Sequence, residues 1–309
     1  MTMAISQHWI PQFYLRGFTT SKGGESLWVT DIEQVYVGSY RDRRAGVPEV
    51  AQLSHLYSLP CDDGTFKPDK PNDKGWDDGV DKALQALESD AGHVWKRLKE
   101  LPEALDLSPG SAARHTLATF LASLHLRNRR MVALAKFAAT TPSVPPLLTP
   151  QDRDAFHQLV AGVPVDLSAT LAGIKDRTAF LAAQFHFLPD ITAVLTGLHW
   201  TVQFFPGNKA AGPLVTSDTP LFCVDRQTMD PTSMESSDCM VFCPLTSRAL
   251  LIATRTRTTT PDGAVVEGTS QSASAINPFI VHFGQQEVYS GFQLGKDFPF
   301  LREPPNAST

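Results

Sequence analysis

The sequence predicts an α+β fold in which a mixed or antiparallel sheet, built from N- and C-terminal strands, accompanies a central region of about five helices. Strand-forming residues concentrate in residues 1–60, apolar residues recur at helical spacing over residues 76–200, and strand formers return over residues 200–295. Strands, then helices, then strands are typical of folds with separate helical and sheet regions. We expect residues 1–295 to form one domain and residues 296–309 to form an irregular tail.

The first zone begins with an unusually dense segment. Residues 7–18 combine a histidine, a proline, an arginine and four aromatic side chains, so we expect this segment to be ordered and buried. Strand-forming runs follow at residues 26–31 and 34–37, where a hairpin is plausible, and at residues 55–59. Residues 61–75 are rich in Asp, Lys, Pro and Gly, which predicts a surface loop.

The central zone predicts five helices. Apolar residues recur at helical spacing from Val80 to Leu101, which indicates the first helix. The second begins after a Ser-Pro-Gly-Ser start signal. The remaining boundaries follow proline positions, with Pro189 kinking the chain or separating the last two helices. The predicted ranges after the first helix are residues 107–138, 150–161, 167–187 and 190–198.

The third zone predicts several strands. A run of strand formers at residues 200–205 ends at a Pro-Gly-Asn turn, and a short apolar strand at residues 214–217 enters a Ser-Asp-Thr-Pro turn. The other strand candidates are residues 239–242, 249–253, 278–283 and 287–290.

Composition limits the class of protein. The net charge of −5 and the isoelectric point near 6.0 disfavour broad binding to nucleic acid. No apolar run approaches the roughly 20 residues that span a bilayer, and no secretory signal is visible. We therefore expect a cytoplasmic protein without a membrane segment, whose four cysteines are reduced.

The standard catalytic signatures are absent: there is no Gly-rich phosphate loop, no Gly-x-Ser-x-Gly and no His-Glu-x-x-His. Polar residues in apolar surroundings are therefore the candidates. His8 lies between apolar and aromatic neighbours. Asp218 follows a short apolar strand, where it could either face a site or hydrogen-bond nearby amides within a turn.

Two charged residues stand out on the predicted helices. Arg127 falls inside the apolar stripe of the second helix, close to the direction of Phe120. A buried guanidinium must pair with an acid, reach back to solvent, or clamp a carboxylate or phosphate. Glu88 lies at the edge of the apolar stripe on the first helix and could be the partner of Arg127, a metal ligand or a boundary residue.

An ordered series of short motifs runs through the chain. It opens with His8-x-x-Pro11-x-Phe13-Tyr14-Leu15-Arg16-x-Phe18 and continues with the strand at residues 27–31, Leu87-Glu88, the arginine helix at residues 127–130, residues 216–220, residues 242–246 and Asn277. In this series the chain resembles a bacterial family catalogued as domain of unknown function 4238. The resemblance spans about residues 7–290 and implies a shared fold and candidate positions, but no reaction. The family often has Arg-Thr or Arg-Ser where this chain has Arg127-Asn128, so either Arg127 or Arg130 is the corresponding arginine.

These residues support two hypotheses. The first is a hydrolase that acts on a phosphorylated or carboxylated molecule, with His8, Asp218 and Arg127 as catalytic residues. Its substrate-binding candidates are Arg130, Ser217, Asn277 and Arg16. The cofactor is unknown, but a divalent metal bound by Glu88, His8 and Asp218 would favour phosphodiester cleavage.

The second hypothesis is a non-catalytic module in which the same residues form a structural polar cluster or a sensor pocket for an anion. An anionic small molecule is the expected partner in both cases. A role in a bacterial accessory or conflict system would fit either one.

Overall fold

The structure, a computed structural model, describes most of the N-terminal and C-terminal zones and part of the central one. The described residues are 6–19, 25–32, 42–54, 59–60, 76–77, 79–100, 104–127, 188–206, 214–284 and 286–294. The predicted strand at residues 34–37, most of that at residues 55–59, the loop at residues 61–75, the helices at residues 150–161 and 167–187, and the tail lie outside them.

Five α-helices and thirteen short strands occur among the described residues. The helices are α1 (Gln12–Leu15), α2 (Gly79–Glu100), α3 (Ala112–Leu126), α4 (Leu188–Gly197) and α5 (Ser270–Phe283). The strands of the N-terminal zone are β1 (Ser6–His8), β2 (Ser26–Asp31), β3 (Asp42–Gly46), β4 (Gln52–Ser54), β5 (Leu59–Pro60) and β6 (Trp76–Asp77). Those of the C-terminal zone are β7 (His199–Phe204), β8 (Thr216–Ser217), β9 (Phe222–Asp225), β10 (Cys239–Thr246), β11 (Ala249–Thr254), β12 (Ala264–Glu267) and β13 (Glu287–Ser290).

The larger sheet is mixed and comes entirely from the C-terminal zone. Its order is β12-β7-β11-β10-β9, with β12 parallel to β7 and the other pairs antiparallel. Side chains alternate between its two faces. Cys223 and Val241 join the core shared with α2, α3 and α4, whereas Phe222 and Phe242 join a second core shared with α5. Both faces of this sheet are therefore covered, which accounts for the long apolar run of β10.

The second sheet unites the two ends of the chain, as the sequence predicts. Its order is β3-β2-β13-β8, and all pairs are antiparallel. The register brings Trp28 opposite Ser290 and Ser217 opposite Val288. This sheet fixes the position of the Ser217-Asp218 turn.

The N-terminal segment is part of the core, which confirms its predicted burial. Tyr14, Leu15 and Phe18 are fully buried. The Tyr14 ring packs against those of Phe18 and Trp95, and the Phe13 ring against those of Trp95 and Phe120. Burying large apolar side chains contributes roughly 1.5–3 kcal/mol each, so this segment is a major source of stability.

The start of α3 agrees with the prediction from the sequence, but its end does not. Ser111 caps its start, because the Ser111 Oγ accepts a hydrogen bond from the Arg114 amide. The helix ends at Leu126, well before the predicted limit at residue 138. Arg127 leaves helical geometry, and its backbone N–H is shared between the carbonyls of Ser123 and Leu124. The first and last predicted helices correspond to α2 and α4.

The predicted strand at residues 278–283 is wrong, because these residues form the last half of α5. The Thr269 hydroxyl caps the start of that helix by accepting from the Ser272 amide. Ala273, Ile276 and Ile280 then lie on one buried face, at helical spacing. The strand-forming composition suggested a strand, but burial of this face outweighs local propensity and the hydrogen bond that Pro278 removes.

Among the described residues, none of the helices combines the length and the apolar character needed to cross a membrane.

Candidate functional site

His8 is held at the junction of β1 and α1. The strand pairing sets His8 opposite Gln52, and the Trp9 amide bonds to the Ala51 carbonyl. The imidazole is half-buried, and its Nε2 lies 3.2 Å from the Pro48 carbonyl oxygen. Backbone pairing therefore fixes the main chain at His8, and a backbone carbonyl contacts its ring.

The surroundings of His8 define its protonation. Burial lowers the pKa of His8 most, and the Arg16 charge acts in the same direction, whereas the Pro48 carbonyl and the Glu88 charge partly oppose them. The ring is therefore neutral near pH 7. A carbonyl oxygen can only accept, so the 3.2 Å contact with Pro48 favours the proton on Nε2. The Gln12 Nε2, 3.4 Å from the same atom, can only donate and favours the opposite tautomer through a longer contact. With the proton on Nε2, Nδ1 keeps its lone pair, and Nδ1 makes no hydrogen bond to a described residue.

Arg127 and Glu88 form an ion pair between the end of α3 and the first half of α2. The Arg127 Nη1 donates to the Glu88 Oε1 over 2.6 Å, and the Arg127 side chain is 1% exposed, against 24% for Glu88. The Arg127 Nη2 donates to the Ser123 Oγ over 3.2 Å, and its Nε to the Ser123 carbonyl over 3.3 Å. Arg127 thus points inward and meets an acid, as the helix-face argument predicts, and Glu88 is its partner.

Gln12, in α1, and Arg16, directly after α1, are two further polar side chains near His8. The Arg16 Nη2 donates to the Gln12 Oε1 over 3.0 Å, and the Gln12 Nε2 lies 3.4 Å from the His8 Nε2. Glu88 and Arg16 both act electrostatically on His8, so all these side chains share one region. We call the set formed by His8, Gln12, Arg16, Glu88 and Arg127 the N-terminal cluster.

Ser217 and Asp218 form a tight turn at the end of β8. Asp218 is fully buried; its Oδ2 accepts from the Gln286 amide over 3.0 Å, and its own amide donates to the Glu287 carbonyl. The Ser217 Oγ accepts from the Thr219 amide over 3.2 Å. The Ser217 bond lies within the turn, whereas the Asp218 carboxylate bonds to an amide just before β13 and not to one of its own turn.

Asn277 belongs to the same region as this turn. It is buried on α5, and its Oδ1 accepts from the Val215 amide over 3.2 Å, just before β8. The structure thus groups Ser217, Asp218 and Asn277, and separately forms the N-terminal cluster. A site shared by His8 and Asp218 requires these two side chains to lie within about 10 Å of each other, and this separation stays a prediction. Arg130 lies outside the described residues.

Tyr14 links the N-terminal segment to the turn region. Its hydroxyl donates to the Pro244 carbonyl over 2.6 Å and shares a hydrogen bond of 2.8 Å with the Thr216 Oγ1. Complete burial raises the pKa of Tyr14 well above its usual value, so the phenol stays protonated. Tyr14 therefore ties α1 to strands of both sheets.

No three or more His, Cys, Asp or Glu side chains are grouped as metal ligands within the described ranges. His8, Glu88 and Asp218 all belong to those ranges. The arrangement that can do chemistry is the half-buried imidazole of the N-terminal cluster, whose Nε2 contacts the Pro48 carbonyl.

Sequence reasoning missed a second buried ion pair. The Arg114 Nη1 donates to the Asp262 Oδ1 over 2.7 Å, and the guanidinium also reaches the carbonyls of Leu107, Thr196 and Leu198. It stacks over the Trp200 ring, 4.9 Å from the centroid. The sequence does indicate that Arg114 is buried, because Arg114 lies at helical spacing from the apolar residues that form the buried face of α3. The pair joins α3, α4 and the sheet, so its role is structural.

A family described as protein of unknown function, DUF4238, has a model that matches residues 6–292. No curated protein and no solved structure matches the chain.

Proposed function

This chain belongs to the DUF4238 family of proteins of unknown function, so its own side chains are the basis for a function. We propose that it is a hydrolase of an anionic small molecule, with His8 as the general base. The observation that carries the proposal is the contact of the His8 Nε2 with the Pro48 carbonyl. In the tautomer that this contact favours, the Nε2–H donates to Pro48, and Nδ1 keeps a lone pair to which no described residue donates. This is the state that a general base requires.

In the proposed reaction, His8 Nδ1 takes a proton from a water molecule as that water attacks a carbonyl carbon or a phosphorus. The bond from that carbon or phosphorus to the leaving group then breaks, and the imidazolium gives its proton to the departing group. The Glu88 carboxylate favours the imidazolium that forms, because its charge raises the pKa of His8. The step needs no group beyond the cluster and water.

Arg16 is the residue that we assign to the anion. It is exposed, and among the described residues only Gln12 accepts a hydrogen bond from its guanidinium, through one nitrogen. Its other donors can form the forked contact that carboxylates and phosphates favour. All three nitrogens of Arg127 already donate, to Glu88 and Ser123, so Arg127 is better suited to hold Glu88 in position.

The second candidate is a non-catalytic anion-binding or sensor module. The engagement of Asp218 favours it, because this carboxylate already accepts from the Gln286 amide and is completely buried. A site with one base and one exposed arginine binds an anion even where no second catalytic group lies beside them. The two proposals differ in turnover and share Arg16.

We further propose a cytoplasmic location, a bacterial accessory or conflict role and an anionic small molecule as partner. The three described cysteines, Cys223, Cys239 and Cys243, are free thiols, which is typical of a reducing compartment. The negative net charge supports a small anion over a nucleic acid.

The test is hydrolysis of chromogenic phosphomonoesters, phosphodiesters and carboxylate esters by the wild type and by His8→Gln. We expect His8→Gln to lower kcat/KM by about 100-fold or more. His115→Gln, which changes an exposed histidine on α3, is the matched control and should act like the wild type. The wild-type rate should fall as acid protonates His8, and this limb should be missing in the variant.

Equal rates for wild type and His8→Gln on a substrate that is turned over would refute the role of His8. If no ester is hydrolysed but phosphate raises the melting temperature of the wild type and not of Arg16→Met, the binding module is the better account. Absence of both turnover and phosphate binding would reject the site.

A further inference from the structure

Two groups of opposite hydrogen-bonding character contact the same nitrogen of His8. The Pro48 carbonyl oxygen lies 3.2 Å from the His8 Nε2, and the Gln12 Nε2 lies 3.4 Å from it. The carbonyl can only accept a hydrogen bond, and the amide nitrogen can only donate one. Whichever tautomer the neutral ring adopts, one of the two contacts is therefore unfavourable. A change in either contact shifts the balance between the two tautomers.

Arg16 determines which way the Gln12 amide points. The Arg16 Nη2 lies 3.0 Å from the Gln12 side chain, and a guanidinium has donors only, so the amide atom that faces Arg16 is the oxygen. The amide nitrogen then faces His8. If Arg16 releases the oxygen, the amide can rotate and present that oxygen to His8. The Nε2–H would then have two acceptors, the Gln12 oxygen and the Pro48 carbonyl, and the conflict at this nitrogen would disappear.

The fold holds these three side chains in one line. His8, Gln12 and Arg16 follow one another at intervals of four residues, and each contacts the next. Tyr14 and Leu15, on the inner side of α1, are fully buried and fix the position of this segment. Gln12 is half-buried, whereas Arg16 is exposed. A series of contacts therefore connects a cation at the surface to the half-buried imidazole.

The guanidinium nitrogen that holds Gln12 is also the one that a forked anion uses. A guanidinium forms a forked contact through Nε with Nη2 or through Nη1 with Nη2, so Nη2 belongs to both edges. In this protein, Nη2 of Arg16 donates to the Gln12 oxygen. An ionised oxygen makes a shorter and stronger hydrogen bond than a neutral amide oxygen. A carboxylate or phosphate on Arg16 therefore competes with Gln12 for this nitrogen.

We propose that Gln12 is a positioning residue that couples the occupancy of Arg16 to the tautomer of His8. While Arg16 holds the Gln12 oxygen, donation from the Gln12 amide keeps part of the rings with the proton on Nδ1, where they cannot act as the base. When an anion engages Arg16, the amide turns, one proton leaves Nδ1 for water and another reaches Nε2 from water. Nδ1 is then the base. This inference rests on the proposed function, in which Arg16 binds the anion and His8 is the base.

The experiment measures the tautomer of His8 by NMR in the full-length, uniformly ¹⁵N-labelled chain. At about pH 8 the ring is neutral, since burial lowers the pKa of His8, and a protonated ring nitrogen and one with a lone pair differ widely in ¹⁵N shift. His8→Gln identifies the His8 signals among those of nine histidines. Inorganic phosphate, compared with chloride at matched ionic strength, should raise the ratio of Nε2–H to Nδ1–H by about 5-fold.

The variants test the coupling with and without phosphate. Gln12→Met removes the competing donor, so the ratio should rise by a similar factor without phosphate and should no longer respond to it. Arg16→Met releases the Gln12 amide and should also raise the ratio without phosphate. Arg226→Met, which changes an exposed arginine directly after β9, is the matched control and should keep the wild-type ratio. Circular dichroism confirms that each variant is folded.

The outcomes separate this inference from the proposed function. The same ratio in the wild type, Gln12→Met and Arg16→Met would overturn the role of Gln12. If phosphate shifts the Arg16 Nε–H signal but not the His8 ratio, the coupling is wrong and the proposed function stands. If phosphate shifts neither, the anion site of the proposed function fails, and the coupling fails with it.

Discussion

The unequal burial of Glu88 and Arg127 predicts that the two halves of this ion pair are not equivalent. Removing the carboxylate with Glu88→Gln takes a charged partner from a guanidinium that is 1% exposed and that also donates to Ser123. Breaking a buried ion pair by removing one partner is costly, and we expect about 3 kcal/mol of lost stability. Removing the guanidinium with Arg127→Met leaves a carboxylate that is 24% exposed and can turn into water. That change should cost only about 1.5 kcal/mol.

The double variant measures the interaction itself. With both members of the pair neutral, neither is left as a charge without the other, and we expect a loss of about 2 kcal/mol instead of the roughly 4.5 kcal/mol that additivity would give. The assay is urea unfolding followed by tryptophan fluorescence, with the free energy extrapolated to water.

The pair of Arg43 and Glu287 is the matched surface control. The Arg43 side chain is 55% exposed and lies 3.0 Å from the Glu287 Oε1, so Arg43→Met should cost less than about 1 kcal/mol. A larger loss for Arg127→Met than for Glu88→Gln would refute the argument from burial. Single variants indistinguishable from Arg43→Met would show that the pair contributes nothing beyond a surface contact.

Three further predictions test the core. Gly263→Ala should cost at least about 2 kcal/mol, because φ is +82° and a Cβ would clash with the backbone carbonyl oxygen of Leu107. Burial lowers the pKa of His125 to about 4, so the unfolded chain binds the proton at a higher pH than the folded chain does. The free energy of unfolding should therefore fall by about 2 kcal/mol between pH 7 and pH 5. In urea titrations, His125→Gln should reduce this dependence of the unfolding free energy on pH. Tyr14→Phe should cost about 2 kcal/mol, since Thr216 and a buried carbonyl lose their partner.

Each of these predictions has a comparison within the chain. Gly110 also has a positive φ, +84°, but open space around its Cβ position, so Gly110→Ala should cost only about 1 kcal/mol. Equal losses at the two glycines would show that the clash is relieved elsewhere. A pH slope unchanged in His125→Gln would assign it to other groups. Tyr289→Phe removes a hydroxyl bonded to the partly exposed Glu287, and a larger loss there than at Tyr14 would contradict the account of Tyr14.

Local patterns predicted much of this fold. The helical spacing between Val80 and Leu101 located α2, because an amphipathic helix needs only its own sequence to show which face is buried. The aromatic density of the N-terminal segment predicted its burial for the same reason. The strand β13 also agrees with its predicted residues, 287–290.

Patterns failed where distant packing decides the outcome. Residues 278–283 have strand-forming composition, but the apolar face that α5 presents to the second core makes them helical. The register of β9 against β10, which sets Cys223 opposite Val241, is likewise not encoded by strand propensity. For the site, the orientation of Arg127 was predictable from a helical wheel, whereas the contact between His8 and Pro48 required the pairing of β1 with β4.

The central pairing of the smaller sheet joins a strand that is synthesised early to a strand that is synthesised late. Trp28 of β2 lies opposite Ser290 of β13, so on a ribosome that adds about 5–20 residues per second the first strand waits about 10–50 s for its neighbour. During that interval the edge of β2 that β13 later covers is exposed to other chains. We therefore expect the chain to aggregate most readily during its synthesis. Chaperones that bind nascent chains should raise the soluble yield more than a lower temperature applied after synthesis.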